Sequence, residues 1–146
     1  MTAVFAALFI ALYVGHQVGD HWIQQHEEVR DKGKPGWVGR RACALHVTTL
    51  TLTKVIAVTS VTLSLTLHLN LWAVGIALLV DAISHYWVDR RTTLEALAGK
   101  VRKGEFYALG DGMTAPCGTG AYALDQSWHH AWILIAALIA SIGGAA

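Results

Sequence analysis

The segment Leu78–Arg91, LLVDAISHYWVDRR, places Asp81, His85 and Asp89 at successive four-residue steps where an apolar run ends. Four residues of α-helix advance about 400°, so each side chain lies about 40° round from the last and one turn along. The three form a ladder on one face, roughly 12 Å from end to end by the helical rise. Ionisable groups in an apolar helix are costly unless paired or metal-bound, so a fold that accepts this ladder must bring partners to it. The same step recurs as His16-x-x-x-Asp20 and Asp125-x-x-x-His129. A carboxylate and an imidazole one turn apart can grip a metal ion, and three such helices can grip a cluster.

The rest of the chain supplies the helices. Apolar runs cover Ala3–Gly19 (extending through Trp22 or so), Ala42–Leu69, Leu71–Val88 and Leu124–Ile142. About 17–25 residues cross a bilayer. A hydrophobic share of 54% against 14% charged residues is unusual for a soluble domain. The second run is rich in threonine and valine, which suits strands, but more than 25 residues without Gly or Pro argue for a helix. Threonine is tolerated there because its hydroxyl can bond back to the preceding turn. The expected fold is all-α: one membrane-embedded domain over residues 1–146, built as a four-transmembrane-helix up-down bundle. Gly33, Pro35 and Gly36 break the chain after the first run, and Arg40–Arg41 close that loop. The 89–123 loop is expected to hold a short amphipathic helix, Thr92–Arg102. Its glycine-rich stretch GDGMTAPCGTG lacks Walker spacing and reads as an active-site lid or a flexible connection. The first run lacks a basic leader and is not read as a cleaved signal peptide. Cys43 and Cys117 show no metal or redox spacing and are expected to be inert in a reducing compartment.

Charge gives the orientation. Arg30, Lys32, Lys34, Arg40 and Arg41 lie between runs one and two; Arg90, Arg91, Lys100, Arg102 and Lys103 lie between runs three and four. The remaining loop and both termini carry no lysine or arginine. By the positive-inside rule both basic loops are cytoplasmic and both termini outside, in a bacterial plasma membrane. Trp22, Trp37, Trp87 and Trp128 then fall near the cytoplasmic boundary and Trp72 near the other.

In that topology His16 and Asp20 end run one, and His46 opens run two. Asp81, His85 and Asp89 end run three, and Asp125 and His129 open run four. All fall within roughly three turns of the cytoplasmic face. The expected metal ligands are His16, Asp20, His46, Asp81, His85, Asp89, Asp125 and His129. Several have a blander reading: Asp89 beside Arg90 suits a solvated helix end, and His46 a hydrogen-bonded bundle histidine. Asp125 near a helix N-terminus gains from the dipole alone. His130 points about 100° away from His129 and is expected at headgroups or a loop. Lys54, roughly 18 Å from the cytoplasmic loop, needs a carboxylate or a substrate anion. An ion pair with Asp81 or Asp20 and contact with a substrate phosphate are both open to it. Asp111 is an outlying extra ligand.

Mixed imidazole and carboxylate without thiolate suits zinc, manganese or iron, and the number of ligands suits two or three ions. Multi-metal sites of this kind serve phosphoryl transfer. GHQVGDHWIQ, the lone His46, DAISHYWVDR and LDQSWHH together resemble a family of small integral-membrane proteins of unknown function from bacteria and phages. More distantly, the HxxxD and DxxxH steps are similar to those of membrane-bound metal-dependent hydrolases. They are similar, too, to those of the zinc phospholipase C and single-strand nuclease superfamily, which hydrolyse phosphoesters at a trinuclear zinc cluster. That resemblance implies metal ligation by His16, Asp20, Asp81, His85, Asp125 and His129. The departure is that those soluble enzymes ligate a metal through an N-terminal tryptophan, whereas Met1 lies at the far end of this bundle.

The expected function is hydrolysis of a phosphoester, on a lipid headgroup or a phosphorylated metabolite, at the cytoplasmic face. Two or three zinc ions would serve it, with Asp89 as base and Lys54 beside the substrate. No nucleic-acid partner is expected. The alternatives are a divalent-metal transporter or binding protein, favoured if polar residues continue to the outer face, and a non-catalytic membrane effector held together by ion pairs.

Overall fold

A computed structural model describes residues 2–113 and 117–145. The described residues form helices joined by turns and loops, with no strand and one isolated antiparallel bridge between His68 and Ala145. Helix α1 spans Thr2–Val18 and runs directly into a π-helical turn, Gly19–Ile23. Short α2 (His26–Asp31) precedes α3 (Gly36–Ser64), and α4 covers Leu71–Asp89. Two short helices, α5 (Thr92–Lys100) and α6 (Gly104–Tyr107), lead to α7 (Gly120–Ala140).

The four long helices close a ring in which α1 packs on α3, α3 on α4, α4 on α7 and α7 on α1. The backbones of the diagonal pairs α1/α4 and α3/α7 do not approach each other among the described residues; α1 and α4 meet only through side chains such as His16 and His85. Neighbours run antiparallel, as in an up-down bundle; the α3–α4 connection is short, while α5 and α6 lie in the long one between α4 and α7. Threonines that looked strand-like are accommodated as expected: Thr48, Thr51, Thr53 and Thr62 each donate to the carbonyl four residues back, at 2.7–2.9 Å. Asn70 caps α4 by accepting from the Trp72 and Ala73 amides, and Thr119 caps α7 through the Tyr122 amide.

Lengthwise the bundle has two halves. Val4, Leu8, Leu12, Val58, Leu67, Ala77, Ile133, Ala136, Ala137 and Ala140 form a dry core at the end holding the N-terminus of α1. The opposite half buries histidines and aspartates instead. Outside, α4 shows Trp72, Ile76, Leu79 and Ile83 as an exposed stripe at helical spacing, and α3 shows Leu52, Ile56 and Leu63. Large apolar stripes like these are rare on soluble monomers and normal against lipid. Three helical segments, Ala3–Ile23, Gly36–Ser64 and Leu71–Asp89, are long and apolar enough to cross a membrane. Helix α7 has the length, but Asp125, Gln126, His129 and His130 keep its first half too polar to join them.

Three local expectations differ from the structure. Arg40 and Arg41 do not close a loop; they lie in the first turns of α3, which starts straight after Pro35 because proline tolerates the position preceding a helix. The first run does continue past Trp22, but its last five residues, Gly19–Ile23, form a π turn rather than α-helix. The amphipathic helix stops at Lys100, and a further helix, α6, follows it. Of the GDGMTAPCGTG loop, residues 114–116 lie outside the described residues.

Candidate metal centre

The polar layer depends on how tightly α1 meets α3. A Cβ placed on Gly15 would come 2.9 Å from Lys54 Cα, and one on Gly19 would come 2.8 Å from Leu50 Cδ1. Gly-x-x-x-Gly spacing lets two membrane helices approach this closely. His16 and Asp20, each one residue beyond a glycine, are thereby brought against α3, where His46 waits. Asp20 lies in the π turn, a local widening that recurs at functional sites.

Around His46 four donor atoms converge. Its Nε2 lies 3.0 Å from His85 Nε2, 3.0 Å from Asp20 Oδ1 and 3.2 Å from Asp89 Oδ2. His85 Nε2 is 3.7 Å from Asp20 Oδ1 and 3.3 Å from Asp89 Oδ2. Bonds of about 2.0 Å in tetrahedral array separate their ligand atoms by about 3.3 Å. Five edges of the Asp20–His46–His85–Asp89 figure thus have the size of a zinc coordination shell. Hydrogen bonds account for only part of it: His46 Nε2 and His85 Nε2 are within bonding distance and Lys32 donates to Asp89 Oδ2, whereas Asp20 Oδ1 is buried without a hydrogen-bond partner despite the 3.0 Å approach of His46.

A second, wider grouping adjoins it. His129 Nε2 lies 3.6 Å from Asp125 Oδ2 and 3.8 Å from Asp89 Oδ1, so Asp89 turns one oxygen toward each grouping. The His129 ring sits 4.7 Å from that of His16 and 4.0 Å from that of His85. Three triads, His16/His85/His129, Asp20/His46/His85 and Asp89/Asp125/His129, each keep their donor atoms within 4.8 Å of one another. His16 Nε2 and His129 Nε2 are buried without a hydrogen-bond partner. Orphaned buried nitrogens are costly, and a cation would satisfy them. With the imidazoles neutral, three carboxylates against the ammonium of Lys32 leave the layer net negative, which also suits a divalent ion.

The structure brings together His16, Asp20, His46, His85, Asp89, Asp125 and His129. Asp81 goes elsewhere. It faces Lys54, whose Nζ donates to Asp81 Oδ2 at 2.6 Å, and this pair is sealed at the border between the halves with Lys54 fully buried. Of the two roles open to Lys54, the ion pair is the one formed. Asp89 is not a solvated helix end: it is 1% exposed, and Arg90 beside it turns away to donate to the carbonyls of Lys32 and Lys34. His130 lies partly buried against Gln17 and the ring of Tyr13. Asp111 is exposed on the loop after α6.

Lys32 is the residue that sequence reasoning missed. Counted among loop charges, it instead folds inward, and its Nζ lies 2.9 Å from Asp89 Oδ2. Burial alone would pull its pKa down, but Asp89, Asp20 and Asp125 outweigh that and hold it above the ordinary lysine value. Arg90 and Arg91 pin the loop that carries it, Arg91 Nη2 donating to Val29 O at 2.7 Å. The surface of the same loop is tied by Arg30 and Lys34, which hold the Asp31 carboxyl well below the usual range. A lone lysine in a polar loop carries no periodicity, and only the surplus of buried carboxylates signalled that a cation was needed.

These features define a class: an all-helical protein with membrane-length apolar helices and clustered buried histidines and aspartates able to hold a metal ion. The chain belongs to the DUF3307 family, described as "Protein of unknown function (DUF3307)", whose match spans residues 8–145. No curated protein and no solved structure matches the chain.

Proposed function

We propose that the protein is a four-span membrane metal-dependent hydrolase acting on a phosphoester, with α7 as the fourth span and the basic loops in the cytoplasm. One observation carries the reading: donor atoms from the π turn after α1 and from α3, α4 and α7 converge, neighbours 3.0–3.8 Å apart, on a layer roofed by a lysine. Asp20, His46, His85 and Asp89 would hold one ion, and His16, His129 and Asp125, with the second oxygen of Asp89, another. Zinc fits the donors best, with manganese or iron next. A bound divalent pair supplies charge neutralisation for phosphoryl transfer and a water acidic enough to ionise near neutral pH.

The residues around that pair divide the remaining work. Lys32, at the cytoplasmic end of the layer, offers its ammonium to a phosphate oxygen. Asp125, whose side chain is 25% exposed, is the most open carboxylate of the layer and is better placed than Asp89 to take a proton from water. Both oxygens of Asp89 are engaged by histidines and Lys32. A transporter would need polar groups continuing through the other half, where the core is apolar.

The test is elemental analysis of detergent-purified protein alongside hydrolysis of bis(p-nitrophenyl) phosphate. Wild type is expected to carry about two metal equivalents and to turn over, while His46→Ala loses both, its metal affinity falling by more than the roughly hundredfold typical of outer-shell changes. Metal content near zero in wild type would sink the metal centre. A metal-loaded protein inert toward phosphodiesters and phosphomonoesters would sink the hydrolase reading alone.

A further inference from the structure

A groove on the outside of the bundle, remote in chemistry from the metal layer, runs down α3 from its basic end. Trp37, Arg40, Arg41, Ala44, Leu45 and Thr48 line it along one face of the helix, and Tyr86 of α4 forms the opposite wall. Positions 37 to 48 advance roughly 16 Å along the axis. Its volume of about 370 Å³ is that of a small-molecule site.

Polarity changes along the groove. Arg40 and Arg41 sit at the top, exposed, with no hydrogen bond or ion pair to any described residue. Trp37, 76% exposed, stands beside them, as an interfacial tryptophan would. Lower down the walls are Ala44 and exposed Leu45, and Thr48 uses its hydroxyl on the Ala44 carbonyl at 2.8 Å, leaving its methyl to the groove. Two free guanidiniums above an apolar trough match a phosphate group joined to a hydrocarbon chain, and guanidinium is the side chain best shaped to fork onto phosphate. A soluble anion would leave the trough empty; a neutral lipid would leave the arginines unpaired. The neighbouring basic residues are already engaged, Arg30 and Lys34 by Asp31, Lys32 by Asp89, and Arg90 of the other loop by backbone carbonyls.

We infer that the groove formed by Trp37, Arg40, Arg41, Leu45, Thr48 and Tyr86 is a binding site for one anionic phospholipid, its phosphate between the two arginines and an acyl chain along α3. The site is separate from the metal layer and does not depend on the hydrolase reading.

Native mass spectrometry of the full chain, titrated with phosphatidylglycerol or phosphatidylcholine, tests this. Wild type is expected to retain one phosphatidylglycerol and to prefer it over phosphatidylcholine. The Arg40→Gln/Arg41→Gln variant is expected to lose at least about tenfold in phosphatidylglycerol affinity, since both basic residues that face the phosphate are removed. Arg102→Gln, which removes an exposed charge from the other basic loop, should leave it unchanged, and a Leu45→Asn variant should weaken both lipids. Equal binding of the two lipids by wild type would overturn the proposal. So would undiminished phosphatidylglycerol binding in the double variant, or competition by glycerol phosphate as effective as by the lipid. If the double variant does not fold, the wild-type lipid preference and the glycerol phosphate competition decide the matter alone.

Discussion

At the scale of single residues, the pair Lys54–Asp81 shows how a buried charge differs from a ligand. Both groups are sealed from solvent, 2.6 Å apart, at the edge of the apolar half. Removing one partner strands the other, which typically costs 3–5 kcal/mol, whereas replacing both with apolar residues is often neutral. Lys54→Met and Asp81→Asn should therefore each lower the denaturation midpoint in detergent sharply, and Lys54→Met/Asp81→Leu should recover most of the loss while keeping its metal. A double variant as unstable as the sum of the singles, or one that loses metal, would place the pair inside the metal centre instead. The four-residue spacings made His16, Asp20, His85, Asp125 and His129 legible as one constellation. The same rule enrolled Asp81, because helical periodicity shows which face a side chain occupies and not which neighbour claims it. Lys32 and the central position of His46 were illegible for the complementary reason: neither belongs to a four-residue His/Asp step, and the contacts that set them, Lys32 to Asp89 and His46 to His85, join residues more than 35 apart in the chain.

At the scale of elements, the decisive contact is α1 on α3. Long apolar runs announced the helices, and the charged loops announced where the runs turn back. The boundaries shifted by several residues where caps and glycines, rather than hydropathy, set them. Gly15 and Gly19 stood in the sequence as unremarked members of an apolar run; their role depends on the partner backbone, which no single run contains. Gly19→Val should crowd Leu50, and overpacking of this kind costs about 1–3 kcal/mol. Because Asp20 follows immediately, the variant is expected to lose metal as well as stability. Adding Leu50→Ala should restore part of both. Circular dichroism with metal analysis on the same samples reads the two effects, and a Gly19→Val protein with unchanged metal content and melting would remove the close crossing from the account.

At the scale of the whole molecule, the proposed orientation places Cys117 in the cytoplasm, exposed in the loop before α7, while Cys43 is buried between helices. A membrane-impermeant maleimide should label wild type in inside-out vesicles, at Cys117 alone, and not in intact spheroplasts; the reverse pattern would invert the topology. The dry core has a final consequence for traffic through the protein. Leu8, Leu12, Val58 and Ile133 stop up the far end of the bundle. In the proposed topology the buried polar layer is therefore a cul-de-sac, and whatever it binds would arrive from the cytoplasmic side and return to it.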